Sequence, residues 1–418
     1  MREESESMNF KNLILISLFF FYFLNTKFSV IPIYTYQIVI IIMITYFLIN
    51  KKHFYLEVKL KHFFFFYVIV FAYILFNYYI NNFEDITLVK KWIIFLLKSF
   101  IGVYLLLLIL KAYKYSFMEM IYFLQIIIFI HASLMLIYFF NVDFKEWTLN
   151  FIPQTGGNID HITSYRSRGI VSSSGATLSL FQSFGLLFTV YLVSKEKLNW
   201  YLTNYFLISF IIILGSIVVS GRTGLVILPI ILLYIILLYF KDLESSKKSI
   251  KFLLLLLLLF TMFISLIYLL NIKIVTLDSI LFLKDWIGSE IKINNGEIQV
   301  STLTILSNHW LFPNEPFSWF FGKTVTWEID RIKTDIGYLR VLNALGILGF
   351  IFLYGFILWI FIETIKNLSD YRNKILVLVL CIFLLITEYK EPFLFKVELN
   401  MMILILYIST ILLKEKIE

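Results

Sequence analysis

A chain of 418 residues that is 60% apolar, 19% aromatic and only 15% charged departs far from the soluble average of about 45–50% apolar and about 25% charged, and reads as an integral membrane protein. Its formal charge of +8 comes from Lys and Arg in short loops between apolar runs, a pattern that sets membrane orientation and argues against nucleic acid as a partner. The single cysteine, Cys381, sits inside an apolar run, which excludes a disulfide framework and a multi-cysteine metal site.

A hydrocarbon core about 30 Å thick takes roughly 20 mainly apolar residues at about 1.5 Å each. By that measure twelve candidate spans lie near 10–26, 30–50, 62–80, 90–110, 117–140, 173–193, 200–219, 223–240, 250–270, 339–361, 375–389 and 397–413. The opening MREESESMNFK lacks a small-residue cleavage site, so the first run is expected to remain as a span. With the N-terminus in the cytoplasm, the loops holding Lys51, Lys52, Lys59 and Lys61, then Lys111 and Lys114, then Lys195 and Lys197, all fall inside. The same holds for Lys241, Lys247, Lys248 and Lys251, for Lys366, Arg372 and Lys374, and for Lys414 and Lys416, so both termini are expected to be cytoplasmic.

The expected fold class is therefore an all-α polytopic membrane protein with about 12 transmembrane helices and a long, partly helical periplasmic loop between spans 9 and 10. No repeat at a fixed period and no linker divides it, so residues 1–418 form one expected membrane domain. The outer loops 141–172 and 271–338 are expected to build the site. Inside the longer loop, IVTLDSILFLKDWI has apolar residues near helical spacing and suits the interface. Trp286, Trp310, Trp319 and Trp327 in that loop suit either anchoring at the bilayer surface or stacking on sugar rings.

Charge in or near the membrane needs a reason, because an Arg at a helix centre costs about 2.5–3.5 kcal/mol on insertion scales. Arg222 stands in IVVSGRTGLVIL, between two spans too close for an ordinary loop, with Gly221 and Gly224 permitting a tight turn. It suits either an interfacial anchor or a grip on an anionic group, since guanidinium meets phosphate with two parallel hydrogen bonds. In SYRSRGIVSSSGATLS, Arg166 and Arg168 precede a run in which Ser172, Ser173, Ser174 and Thr177 either donate to a ligand or cap a helix. In DRIKTDIGYLRVLNALGILGF, Arg331 and Lys333 precede Asp335 and Tyr338 and Arg340 follow it; Asp335 to Tyr338 and Leu339 spans about one helical turn, so the carboxylate and the phenol suit one face. Asp335 suits a general base or a helix N-cap.

The histidines His53, His62, His131, His161 and His309 show no metal-ligand spacing, so no bound metal is expected; His309 suits a base or an ordinary loop residue. No G-x-x-x-x-G-K-[ST] loop occurs, which argues against a nucleotide-driven reaction, and no cofactor is expected. Lys98, one heptad after Lys91, suits a snorkelling residue or one facing a cavity. In ITEYKEPFLFKVELN, Pro392 breaks a helix amid Glu388, Lys390, Glu391, Lys396 and Glu398, where mutual pairing is expected.

These pieces together resemble the O-antigen polymerase and ligase family of bacterial envelope polysaccharide assembly, and more the polymerases. The likeness covers the plan of about a dozen spans and four phrases. Arg166-Ser-Arg168-Gly169 fits an R-x-x-G segment opening a span, and VVSGRTGL resembles an S-x-S-R-x-G turn with Gly221 where Ser is frequent. The stretch from WFFGKTVTWEIDRIKTD to IGYLRVLNALGILGF resembles the polymerase F-G…D-x-G-Y-L…G-I-x-G ending, and EYKEPFL resembles a phrase near their C-termini. Where ligases usually have His, this chain has Asp335.

The resemblance implies transfer of an undecaprenyl-diphosphate-linked glycan at the outer face of the bacterial inner membrane, without metal or cofactor, with a chain-length regulator protein as a further partner. It implies that Arg222, helped by Arg166, Arg168 or Arg340, meets the diphosphate, that Asp335 or a neighbour deprotonates the acceptor hydroxyl, and that Arg331, Tyr338 and His309 face the substrate. A ligase or other lipid-linked glycosyltransferase is the nearest alternative. A polysaccharide exporter of the flippase type is a second, although such transporters usually carry midplane charges and paired halves.

Overall fold

The computed structural model of the chain describes residues 2–29, 33–50, 57–82, 85–152, 167–171, 175–196, 199–269, 291–294, 297–300, 310–324, 336–390 and 392–413. In chain order the helices are α1 (Arg2–Leu24), α2 (Thr35–Ile49), α3 (Lys61–Ile80), α4 (Thr87–Ala112), α5 (Phe117–Phe140), α6 (Val142–Phe151), α7 (Ala176–Lys195) and α8 (Trp200–Ser220). After the 3₁₀ turn Arg222–Val226 come α9 (Ile227–Tyr239), α10 (Leu243–Leu269), α11 (Pro316–Phe321), α12 (Gly337–Asn367), α13 (Tyr371–Glu388) and α14 (Val397–Leu412). A helix thus stands on each expected apolar run. Among the described residues six helical stretches are long and apolar enough to cross a membrane: Val58–Ile80, α4, α5, α7, α8 and α12.

The long loop, expected to be partly helical, also carries two short strands. Strands β1 (Ile291–Asn294) and β2 (Glu297–Val300) pair antiparallel with Asn294 opposite Glu297. The cause is legible afterwards: IKIN and EIQV alternate apolar and polar residues around Asn295-Gly296, the dipeptide that favours a two-residue hairpin turn. The stretch IVTLDSILFLKDWI lies outside the described residues.

The chain folds as two compact units. The first comprises Met1–Thr35 and Met118–Glu290. Its centre is α7, whose apolar window is 94% buried because ATLSLFQSFGLLFTVYLVSK is apolar or small on every face. Small residues let its neighbours close in: a Cβ on Gly185 would stand 2.5 Å from Ile128 of α5 and 3.1 Å from Ile213 of α8. Buried amides join the same three helices, Gln125 donating to Thr189 and Ser209 and accepting from the Tyr205 hydroxyl at 2.6 Å. Without water to compete, such bonds hold helices that lipid does not press together.

The second unit comprises Tyr36–Phe117 and Ile291–Glu418. Its core is aromatic: the Phe63 ring lies 4.5 Å from Phe100, 5.4 Å from Phe356 and 6.1 Å from Tyr407, joining α3, α4, α12 and α14. Within α4 the segment Phe95–Ile101 widens to a π-helix. Such bulges are rare and concentrate at functional positions.

Candidate functional site

In the first unit the two basic phrases of the sequence come together. The Ser167 amide donates to the Val219 carbonyl at 2.9 Å, tying the Arg168 segment to the end of α8, three residues before Arg222. Ser167 also donates its hydroxyl to Met135 of α5 at 2.6 Å. Gly169 follows with φ of +61°, and a Cβ there would meet Met135 at 3.0 Å and His131 Nε2 at 3.1 Å, so the R-x-x-G glycine is demanded by both conformation and space. His131 is fully buried and held by Gln182 of α7, whose Nε2 stands 2.6 Å from its Nδ1.

The Arg222 turn is seated on the same helix. Gly224 donates its amide to the Ser179 hydroxyl at 3.1 Å, and Ser183 donates to the Gly224 carbonyl at 2.8 Å. A Cβ on Gly224 would lie 2.5 Å from the Ser179 carbonyl oxygen. The serines of α7 therefore fix the turn's backbone, while Arg222 opens the 3₁₀ turn as its first residue. Helix α7 itself begins after Gly175 at φ +78°, so its N-cap is Gly175 and not one of the three serines considered for that position. Ser172, Ser173, Ser174 and Arg166 lie outside the described residues.

Arg168 is 2% exposed and has a partner the sequence did not indicate. Its Nη2 donates to the Ile152 carbonyl at 2.8 Å and to the Thr148 carbonyl at 3.4 Å, the closing carbonyls of α6. A cation at a helix C-terminus satisfies orphan carbonyls and the helix dipole together. Among the described residues its Nε and Nη1 have no further well-aligned acceptor, and the Tyr138 hydroxyl lies beside the guanidinium. Arg168→Ala is expected to destabilise the protein by about 2–4 kcal/mol, from lost charge-assisted bonds and the cavity left behind. Thermal unfolding of the purified protein checks this. A variant that melts like the wild type would show that these bonds are not needed for the fold.

The second unit gathers the remaining phrases. Helix α12 starts at Gly337 with Ile336 at the N-cap, so Asp335 precedes the capping position that was one of its two expected roles. Buried Ile336 and Leu339 pack with Tyr338, Leu342 and Tyr389, which brings the D-x-G-Y-L helix against the turn of EYKEPFL. Tyr338 donates its hydroxyl to the Leu385 carbonyl, and Arg340 is half-buried on the first turn. Asp335, Arg331 and His309 lie outside the described residues.

Glu388, expected to pair among neighbouring charges, is fully buried. It accepts from the Tyr354 hydroxyl at 2.8 Å and from the Leu394 amide at 3.1 Å, so this carboxylate clamps the turn between α13 and α14 onto α12. Sequence proximity hid this, because Tyr354 is 34 residues away. Lys98 does not reach out to headgroups: it is 3% exposed on the π-helical segment, with its ammonium 4.4 Å from the centre of the Tyr36 ring. Trp319 stacks on Phe312 at 5.7 Å and Trp310 lies 6.2 Å from Tyr389, leaving partly exposed aromatic faces. Among the described residues no group of three His, Cys, Asp or Glu is placed to hold a metal.

Apolar helices long enough to cross a bilayer, a polar seam buried between them and basic segments at one end of the first unit define a membrane-spanning, all-α protein. Comparison of the chain with protein-family models, with curated proteins and with solved structures finds no match in any of the three.

Proposed function

We propose that this protein polymerises undecaprenyl-diphosphate-linked oligosaccharide repeat units into O-antigen or capsular polysaccharide at the outer face of the bacterial inner membrane. The proposal includes twelve spans with both termini in the cytoplasm, so that the Arg168 segment, the Arg222 turn and the loop carrying Asp335 all face outward. The observation that carries it is the Ser167–Val219 hydrogen bond, because it unites the R-x-x-G and S-G-R-T-G phrases, separate in sequence, in one place. An anionic group at that place meets a fixed guanidinium charge that pH does not remove.

In the reaction, the hydroxyl oxygen of an acceptor sugar attacks the anomeric carbon of the donor glycan. The bond from that carbon to the diphosphate oxygen breaks, and undecaprenyl diphosphate leaves with the electron pair. Asp335 takes the hydroxyl proton, and Arg222 stabilises the charge that develops on the leaving diphosphate. Direct displacement inverts the anomeric configuration. The diphosphate already activates the donor, so the step draws on no nucleotide.

The test is the length of envelope polysaccharide on a gel from cells lacking the chain, complemented with wild type or Asp335→Asn. The expected result is a single repeat unit on the lipid core in the deletion, a restored ladder with wild type, and no ladder with Asp335→Asn at equal membrane abundance. If no repeat unit reaches the core at all, ligation or export replaces polymerisation.

A further inference from the structure

At the end of the first unit opposite the Arg168 segment, the C-termini of α7 and α9 and the N-termini of α8 and α10 lie together, joined by the short connections 196–199 and 240–242. Lys195, Lys241, Lys247, Lys248 and Lys251 outnumber Glu196, Asp242 and Glu244 at this end, which leaves it with a net positive charge. It also carries exposed Trp200, Tyr201, Tyr239 and Phe240, the ring types that settle at the headgroup level of a bilayer.

Between α8 and α10 at this end is a cavity of about 340 Å³ lined by Thr203, Lys248, Lys251, Phe252 and Leu255. Lys248 and Lys251 are one turn apart on α10, so both ammonium groups reach the same mouth. The floor is apolar: Phe252 is buried with its ring 6.1 Å from Phe210 of α8, and Leu255 continues the wall a turn deeper along the helix. Thr203 already donates its hydroxyl hydrogen to the Asn199 carbonyl at 2.8 Å, so its oxygen is an acceptor towards the cavity. Lys248 pairs with Glu244 at 2.9 Å, but the carboxylate is largely exposed, so water screens the pair and an anion at the cavity mouth can compete with it.

We infer that this cavity binds the headgroup of an anionic glycerophospholipid, with its phosphate held between Lys248 and Lys251 and its acyl chains running along Phe252 and Leu255. A polyol headgroup donates to the Thr203 oxygen, which makes phosphatidylglycerol a fitting occupant. Lysines that serve only to orient the chain in the membrane need no cavity and no apolar floor. Here the two features coincide with an aromatic belt, and basic pockets between membrane helices take such headgroups. The inference does not depend on the proposed glycosyl transfer.

The test uses the full chain reconstituted in nanodiscs of phosphatidylcholine and phosphatidylglycerol, with the retained lipids counted by native mass spectrometry. Wild type is expected to retain phosphatidylglycerol over phosphatidylcholine, and Lys248→Gln with Lys251→Gln to lower that retention about tenfold. Lys247→Gln, on the same helix but outside the cavity, is expected to leave it unchanged. Equal retention of both lipids by wild type, or a Lys247→Gln effect as large as that of the pair, overturns the inference. So does displacement of the lipid by millimolar inorganic phosphate, which would show a site for the free anion. Lys251 is exposed and Lys248 half-buried, and unchanged thermal unfolding of the double variant confirms that a loss of lipid is not a loss of fold.

Discussion

Arg222→Ala is expected to reduce the proposed glycan polymerisation by about 10²–10³-fold, the loss typical when one preorganised donor is taken away from developing negative charge. The protein itself should stay folded and inserted. The turn is held by the Gly224 amide donating to the Ser179 hydroxyl, by the Ser183 hydroxyl donating to the Gly224 carbonyl, and by the Gly221 amide donating to the Ile217 carbonyl at 2.9 Å. Arg222→Lys keeps the charge but loses the planar two-pronged contact, so it is expected to fall between Ala and wild type. Turnover of lipid-linked repeat units by the purified protein in liposomes, normalised to protein in the membrane, measures both. An Arg222→Ala protein as active as wild type would remove this residue from the proposed chemistry.

Gly346→Ala is expected to have the largest effect on folding, about 2–4 kcal/mol or more. Helix α12 kinks at Gly346, where φ is +65°, and a Cβ there would stand 2.3 Å from the Phe320 carbonyl oxygen at the end of α11. The contact is reciprocal: a Cβ on Gly322, at φ +76°, would stand 2.4 Å from the Ala344 carbonyl oxygen. Between the two glycines Lys323 and Thr324 donate their amides to Asn343 and Ala344 at 2.9 and 3.0 Å. Tyr73 then donates its hydroxyl to the Leu345 carbonyl at 2.6 Å, satisfying a group the kink sets free. Backbone cannot retreat from backbone here, so Gly322→Ala is expected to match Gly346→Ala, while Gly355→Ala, with nothing within 4 Å of its Cβ, is expected to be neutral. Unfolding midpoints of the three variants in detergent check the order. Similar midpoints for Gly346→Ala and Gly355→Ala would show that the kink is not required.

The pair Gly322 and Gly346 also shows what a sequence motif conceals. The F-G and G-I-x-G phrases were legible as a resemblance, yet their spacing in the chain gave no hint that each glycine makes room for the other's neighbours. Sequence fixes which residue is a glycine; only the docked segment shows what its missing side chain admits. The paired strands at 291–294 and 297–300 are a different case: Asn295-Gly296 between alternating residues is a local signal that needs no tertiary contact, although the expected loop did not include them.

By itself the sequence determined the helices on the long apolar runs and their membrane character, because such runs leave the backbone no other way to satisfy its hydrogen bonds in lipid; the short helices α6 and α11, inside the expected outer loops, were not read from it. It also marked the Arg168 and Arg222 phrases, because charge beside such runs is costly enough to need a cause. Tertiary structure alone decided what those charges meet. It spent part of the Arg168 guanidinium on the carbonyls of α6, buried Glu388 under Tyr354 and enclosed Lys98 beside Tyr36. Each of these depends on a partner from a different part of the chain, and the distance between such partners is set by packing rather than by spacing in sequence.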